Sequence, residues 1–301
     1  MQATVAEPVE FSGVGVHGGD AVTCTVRPAP ADAGVTFRRI DLPDGENIVQ
    51  ARFDRVADTR LCTVLSNECG ATVSTVEHLM AALAGLGVCN AAIDLDGPEV
   101  PIMDGSSAPF VEGVTAVGVR AQRGGQRAIR ILREISIEKD GKRASLSPSP
   151  RFEMRFEIDF EDAAIGRQAR SMTLVNGAFI EELAKARTFG RLCDIEALRK
   201  IGLGRGGSLE NAIVVDGARV LNADGLRYQD EFVRHKMLDA IGDLALAGAP
   251  IIGRYEGVRA GHEMTNLLLR ALFAAPDAFD YVEYDRARPK ALGLCLARKA
   301  A

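Results

Sequence analysis

At 301 residues, 47% of them hydrophobic and 5% aromatic, the chain can fill one large domain or two of ordinary size. A formal charge of −5 argues against nucleic acid as the main partner, because a nucleic-acid binder favours a basic surface. Six cysteines, at positions 24, 62, 69, 89, 193 and 295, include no C-x-x-C pair, so neither a thiolate zinc site nor a disulfide framework is signalled.

Unpaired cysteines suit a reducing cytosol. Met1 to Pro8 offers neither the basic nor the apolar segment of a secretion signal, which predicts no export. The most apolar window, Leu79 to Leu95, is interrupted by Asn90 and Asp94 and is too short and polar to span a bilayer. A cytoplasmic protein is expected.

Residues 9–40 alternate as strands do, broken by Pro28 and Pro30 and punctuated by Gly13, Gly15, Gly18 and Gly19. His17 lies in this glycine-rich loop, where simple exposure is expected. Short strands follow over 48–73, and a helix opens near Ser74 and runs to about Gly87. Its Leu79, Ala82, Leu83 and Leu86 form a packing stripe. Ser74 and Glu77 have the spacing of a capping box, in which Glu77 would reach back to the Ser74 N–H. His78 comes next, at the helix N-terminus, where negative charge is stabilised.

A strand over 91–95 leads into a turn-rich loop from Gly97 to Pro109, then a helix from Phe110 to about Ala116. The polar stretch 120–127, with two adjacent glycines, reads as a linker and divides the chain into domains 1–122 and 123–301. The second half starts like the first: the strand, P-x-P, strand plan of 21–37 returns over 144–158. Glu77–Leu83 and Arg234–Ala240 both place a His two residues before a Met at a helix start. If that repeat is real, two domains of one βα plan pack face to face, with a histidine from each at the junction. The second half is longer between these landmarks, so extra structure is expected near 188–228, including a strand over 212–215. His262 stands where a loop enters the apolar helix 267–273, a place suited equally to a cap and to a functional side chain.

The most informative stretch is 234–244. At about 100° per residue, His235, Asp239 and Asp243 share one stripe with Lys236 at its edge, while Met237, Ala240, Ile241, Leu244 and Ala245 cover the other side. A His and an Asp at i and i+4 can both reach one metal ion. The same spacing also reads as a solvated face with paired charges.

Taken in order, Thr75–Leu79, Glu99–Ser106, Ala186–Gly190, Gly206–Ser208, Arg234–Leu244 and Gly261–His262 resemble the UDP-3-O-acyl-N-acetylglucosamine deacetylases. These are zinc amidases of lipid A synthesis in Gram-negative bacteria, and the resemblance runs from about residue 9 to about 285. It implies an α+β fold of two similar domains, each a mainly antiparallel β-sheet with packed helices, stacked face to face with the active site at the junction. It implies that His78, His235 and Asp239 hold one Zn2+, with iron as an alternative ion. Two imidazoles and one carboxylate leave a fourth position for water, the layout of a catalytic zinc.

By the same resemblance Glu77 is the general base, and the Thr188 hydroxyl stabilises the oxyanion. His262 is the imidazolium that stabilises the oxyanion and protonates the leaving amine, with Asp243 to orient it. The implied reaction removes acetate from the 2-acetamido group of UDP-3-O-(3-hydroxyacyl)-N-acetylglucosamine, the committed step of lipid A biosynthesis. Lys236 serves the diphosphate, Phe160 stacks on uracil, and Asp194 contacts the nucleotide side. An insertion at about 188–213 supplies the acyl passage, with Phe189, Leu192 and Ile195 among its apolar residues. The implied partner is the acylated UDP-sugar, with peripheral membrane-lipid contact at most; a monomer is expected.

The chain departs from the family pattern at Gly18, at Glu263–Thr265, and at Arg191 and Arg205 beside the expected acyl passage, where acyl-length preference would be set. Two readings of other classes compete. One is a metal-binding carrier of acylated nucleotide sugar, and the other a metal-independent dehydratase or lyase, which also sets a His and a carboxylate at a domain junction.

Overall fold

The structure, a computed structural model, describes residues 1–175 and 177–284; Cys295 and the rest of 285–301 lie outside the described residues. Alternating apolar residues produce five strands in the first half: Val9–Val14 (β1), Ala21–Pro28 (β2), Val35–Arg39 (β3), Ile48–Gln50 (β4) and Ala91–Leu95 (β5). They form one sheet in the order β1-β2-β5-β3-β4. Only the central β5–β3 pair is parallel.

Five more strands follow in the second half: Ile135–Lys139 (β6), Lys142–Ser147 (β7), Glu153–Asp159 (β8), Arg167–Thr173 (β9) and Arg254–Val258 (β10). Their order is β6-β7-β10-β8-β9, again with only the central pair, β10–β8, parallel. The two sheets are the same construction, and the P-x-P echo falls in corresponding loops. Period-two alternation sets the buried face of each: Val22, Cys24 and Val26 on β2, and Met154, Phe156 and Ile158 on β8.

The helices repeat as well. Glu77–Gly85 (α1) in the first half packs against Glu231–Ala245 (α5) in the second. Ala108–Val117 (α2) covers α1 and β1, and His262–Phe273 (α6) covers α5, β6 and β7. Eight of the nine residues of α1 and twelve of the fifteen of α5 are buried, so this pair lies inside the core and not on its surface. Any polar group on them must therefore find a partner. The backbones cross closely at Gly242, where a Cβ would lie 2.0 Å from the Glu77 carbonyl oxygen.

Between residues 182 and 231 the second half carries its extra structure. Phe189–Arg191, Ile213–Asp216 and Arg219–Val220 form a three-stranded sheet, and Leu192–Lys200 (α4) bridges its first two strands. The short helix Ala178–Glu182 (α3) precedes them. The strand expected over 212–215 is present, and α4 turns a stripe of Leu192, Ile195 and Leu198 inward to half-burial while its other residues are exposed. The expected linker 120–127 is half strand: Val119–Ala121 pairs with Ala3–Val5, and Gln126–Ile131 with Phe279–Tyr284, leaving 122–125 as the connection.

Two local expectations are corrected. The capping box does not form: the residue preceding α1 is Val76, the Ser74 hydroxyl donates to the Pro98 carbonyl at 2.9 Å, and Glu77 turns elsewhere. Thr75 explains this, because its left-handed φ of 58° swings Ser74 away from the helix start. His17 is half-buried, not exposed, with its Nδ1 inaccessible and unpartnered, because the loop beneath it is pulled inward. Glu99 does the pulling, accepting hydrogen bonds from the His17 and Gly18 amides at 3.0 Å each. Among the described residues no helix is long and apolar enough to cross a membrane.

Candidate active site

The α1–α5 crossing brings His78, His235 and Asp239 together, with one ligand atom from each inside 4.8 Å of the others. His235 Nε2 lies 3.2 Å and His78 Nε2 3.5 Å from Asp239 Oδ1. The imidazole rings meet edge to face at 4.9 Å. His235 Nδ1 is 3.0 Å from the Ala186 carbonyl, which can only accept, so Nδ1 carries the hydrogen and the Nε2 lone pair faces the cluster. Burial lowers the His235 pKa to about 3, keeping the ring neutral.

Asp239 stays ionised. Burial opposes this, but the adjacent Lys236 ammonium favours the charged form, and the carboxyl lies well below the usual carboxylate range. Lys236 Nζ donates to Asp239 Oδ2 at 2.7 Å, while Oδ1, facing both histidines, is buried with no hydrogen-bond partner. An orphaned acceptor between two imidazole nitrogens is what a cation would satisfy. The donor set of two imidazoles and one carboxylate fits a catalytic zinc.

Beside this cluster stands a second pair with opposite titration. Glu77, in the first turn of α1, has Oε2 held by the Thr63 amide at 3.1 Å and Oε1 3.8 Å from His262 Nε2. Burial raises its pKa, against the pull of His262 and His78. His262 opens α6, and its Nδ1 lies 2.9 Å from Asp243 Oδ2. Burial would favour the neutral ring, but Asp243 and Glu77 outweigh it and raise His262 to about 9. One residue is thus prepared to take a proton and the other to give one.

Thr188 is brought in from the insertion. Its amide donates to the Gly105 carbonyl at 2.7 Å, and its carbonyl accepts from Ile213 at 2.8 Å. Gly105 is required there: its φ is 84°, and a Cβ would lie 2.0 Å from the Asn211 carbonyl oxygen. The preceding Arg187 is buried against Glu231 in the first turn of α5, its amide and Nε both 3.0 Å from Glu231 Oε1. That pair fixes the segment whose Ala186 carbonyl holds His235.

A cavity of about 220 Å³ collects Glu77, His78, His235, Asp239, His262, Lys236 and Thr188, with Phe160, Phe189 and Asp194 on its wall. Phe160 and Phe189 meet edge to face at 5.6 Å. Asp243 stands behind His262, outside the lining. Leu192 and Ile195 do not line this cavity either: Ile195 packs over Gly190, and Leu192 is half-buried at the start of α4. Arg191 reaches Asp162 at 2.5 Å, while the Arg205 amide donates to the His17 carbonyl at 3.2 Å, docking the insertion on the glycine-rich loop. A larger cavity, about 520 Å³, lies at the far ends of α1 and α5 among Met80, Leu83, Ile241 and Leu244, and none of His78, His235 and Asp239 lines it.

Sequence reasoning missed Thr63, the Ala186 carbonyl, and Arg187 with Glu231. A carbonyl carries no sequence signal. Thr63 has no periodic neighbour to mark it, and Glu231 reads as an ordinary acidic residue in a first helical turn.

A duplicated α+β fold whose halves meet over a His–His–Asp group, flanked by a carboxylate and an imidazole, defines a candidate metallohydrolase. The family described as UDP-3-O-acyl N-acetylglycosamine deacetylase matches residues 2–274. The UDP-3-O-acyl-N-acetylglucosamine deacetylase of Phenylobacterium zucineum (strain HLK1) is 53% identical over 279 residues, covering 93% of this chain and 95% of its own. Proteins of the same name from Idiomarina loihiensis and Legionella pneumophila (strain Corby) are 49% and 47% identical over 286 residues, each covering 94% of this chain and 93% of their own. The chain belongs to the UDP-3-O-acyl N-acetylglycosamine deacetylase family.

Proposed function

We propose that the chain hydrolyses the 2-acetamido group of UDP-3-O-(3-hydroxyacyl)-N-acetylglucosamine, releasing acetate and a free sugar amine, as the committed step of lipid A biosynthesis. The observation that carries this reading is the pair Glu77 and His262, facing each other at 3.8 Å beside the His78–His235–Asp239 cluster with opposite proton preferences. His78, His235 and Asp239 would hold Zn2+. When bound, the metal supplies a Lewis acid for the amide carbonyl and makes a water easier to deprotonate.

The chain's own groups then divide the work. Glu77 takes the proton of the attacking water at Oε1, the oxygen that the Thr63 amide leaves free. His262, protonated and steadied by Asp243, donates from Nε2, first to the oxyanion and then, as the C–N bond breaks, to the departing amine. The Thr188 hydroxyl gives the oxyanion a second donor. Lys236 carries a positive charge at the cavity wall, where the diphosphate would lie, and Phe160 offers an aromatic face to uracil with Asp194 nearby. Phe189, Leu192 and Ile195 belong in this reading to the apolar path of the fatty acyl chain. The same reading takes the enzyme as a cytoplasmic monomer divided at 122/123, meeting membrane lipid peripherally at most.

A carrier without hydrolysis would have no use for both Glu77 and His262, and a metal-free lyase none for an orphaned Asp239 oxygen. The test is acetate release from UDP-3-O-acyl-N-acetylglucosamine by zinc-loaded protein, with and without chelator. Chelator-sensitive release is expected; a folded, zinc-loaded protein that releases none refutes the proposal.

A further inference from the structure

We propose that Thr63 is a positioning residue that fixes the catalytic carboxylate and the catalytic imidazole to one another across the two halves; this rests on the deacetylase reading above. Thr63 is 2% exposed and immediately precedes the strand Val64–Ser66 of the first half. Its main-chain amide donates to Glu77 Oε2 at 3.1 Å, and its hydroxyl donates to Asp243 Oδ1 at 2.6 Å. The remaining oxygens of those carboxylates both face His262: Asp243 Oδ2 at 2.9 Å from Nδ1, and Glu77 Oε1 at 3.8 Å from Nε2. The four residues close a ring: Thr63, Glu77, His262, Asp243 and back to Thr63.

Such a ring has a consequence that none of its members has alone. A carboxylate has two oxygens and can turn about its last bond, so a single contact to His262 would leave the other oxygen and the rotation free. Thr63 occupies the second oxygen of both carboxylates at once. That selects which oxygen of Glu77 is open to the attacking water, and it prevents Asp243 from turning away from His262. Because Asp243 belongs to α5 and Thr63 to the first half, the contact also ties the imidazole of the second half to the base of the first. Main-chain and side-chain donors do different tasks here, so a substitution can remove one and keep the other.

The experiment compares Thr63→Val with Thr63→Ser in zinc-loaded full-length protein. Valine keeps the shape and the amide but loses the hydroxyl; serine keeps both donors, the amide and the hydroxyl. In Thr63→Val, kcat is expected to fall about 10- to 100-fold with KM within about twofold and zinc content unchanged, the size of effect expected when one partner of a hydrogen bond to a buried charge is lost. Thr63→Ser should recover most of that rate. Equal rates for Thr63→Val and wild type overturn the proposal, as does a loss that serine fails to recover or one confined to KM. Wild-type acetate release in the same assay tests the deacetylase reading separately.

A second measurement needs no turnover. The ring Nδ1–H of His262 should give a sharp downfield proton resonance in wild type and in Thr63→Ser, and a broadened or lost one in Thr63→Val. With four histidines in the chain, comparison with His262→Gln assigns the signal. An unchanged resonance in Thr63→Val counts against the proposal even if the rate falls.

Discussion

The two halves share a strand order and a helix arrangement, yet they spend them differently. In the first, α1 contributes Glu77 and His78 from one turn, and the start of α2 is purely structural: the Ser107 hydroxyl donates to the His78 carbonyl at 2.7 Å. In the second, α5 places His235, Asp239 and Asp243 along two turns, and the start of α6 carries His262 itself. Duplication thus supplied two matching scaffolds, and chemistry arose where their central helices cross. Neither half contains a complete site.

The largest way to break this division is at the proposed base. Replacing Glu77 with Gln should lower kcat by about 10² to 10⁴ while the zinc content holds, because the ligands are on neighbouring residues. Thr188→Val comes next, with a loss of about 10² to 10³ in kcat if its hydroxyl serves the oxyanion. A rate near wild type for either variant would remove that residue from its role.

Gly242→Ala tests the crossing itself. A methyl group 2.0 Å from the Glu77 carbonyl oxygen must push the helices apart, so a loss of about 1–3 kcal/mol in denaturant unfolding is expected. Were Gly242→Ala to unfold like wild type, close approach would not be what Gly242 serves.

The pH profile sharpens the contrast further. His262 is raised to about 9 against burial by Asp243 and Glu77, with Lys236 opposing. Its charged form therefore contributes stability that is fully present below about 6.5 and is lost as pH rises through about 9. Activity that needs the imidazolium should fall over the same alkaline range. Asp243→Asn removes the leading favourable charge, so its alkaline limb in kcat/KM should move to lower pH; a limb that stays put would assign it to another group. The smallest effect belongs to the surface of the second half: Lys139→Ala, which breaks an exposed pair with Glu263, should leave both the unfolding midpoint and kcat near wild type.

Much of this architecture was legible because it depends on periodicity. Residues 234–244 show one apolar and one polar stripe, and in the structure both are buried, so the polar stripe could not be a solvated face. The duplication was visible only as an echo, since two sheets can share an order while their side chains drift. What stayed hidden depends on contacts without a local pattern. Thr63 meets Asp243 across 180 residues, a pairing no window of sequence contains. The Ser74–Glu77 spacing misled for a related reason: the capping motif is a statement about backbone angles, and Thr75 adopts an angle that the spacing does not reveal. The helix α4 carries only three half-buried apolar residues, Leu192, Ile195 and Leu198, among exposed neighbours, too short a stripe to mark it in the sequence.

The close approach at Gly242 sets a hard stop between the central helices. Side-chain packing yields gradually to changes in volume, but two backbones in van der Waals contact cannot come nearer. The span between Glu77 on one helix and the polar stripe of the other is therefore gauged by main-chain atoms. Apolar residues farther along either helix can change size over evolutionary time, and the gauge keeps its reading.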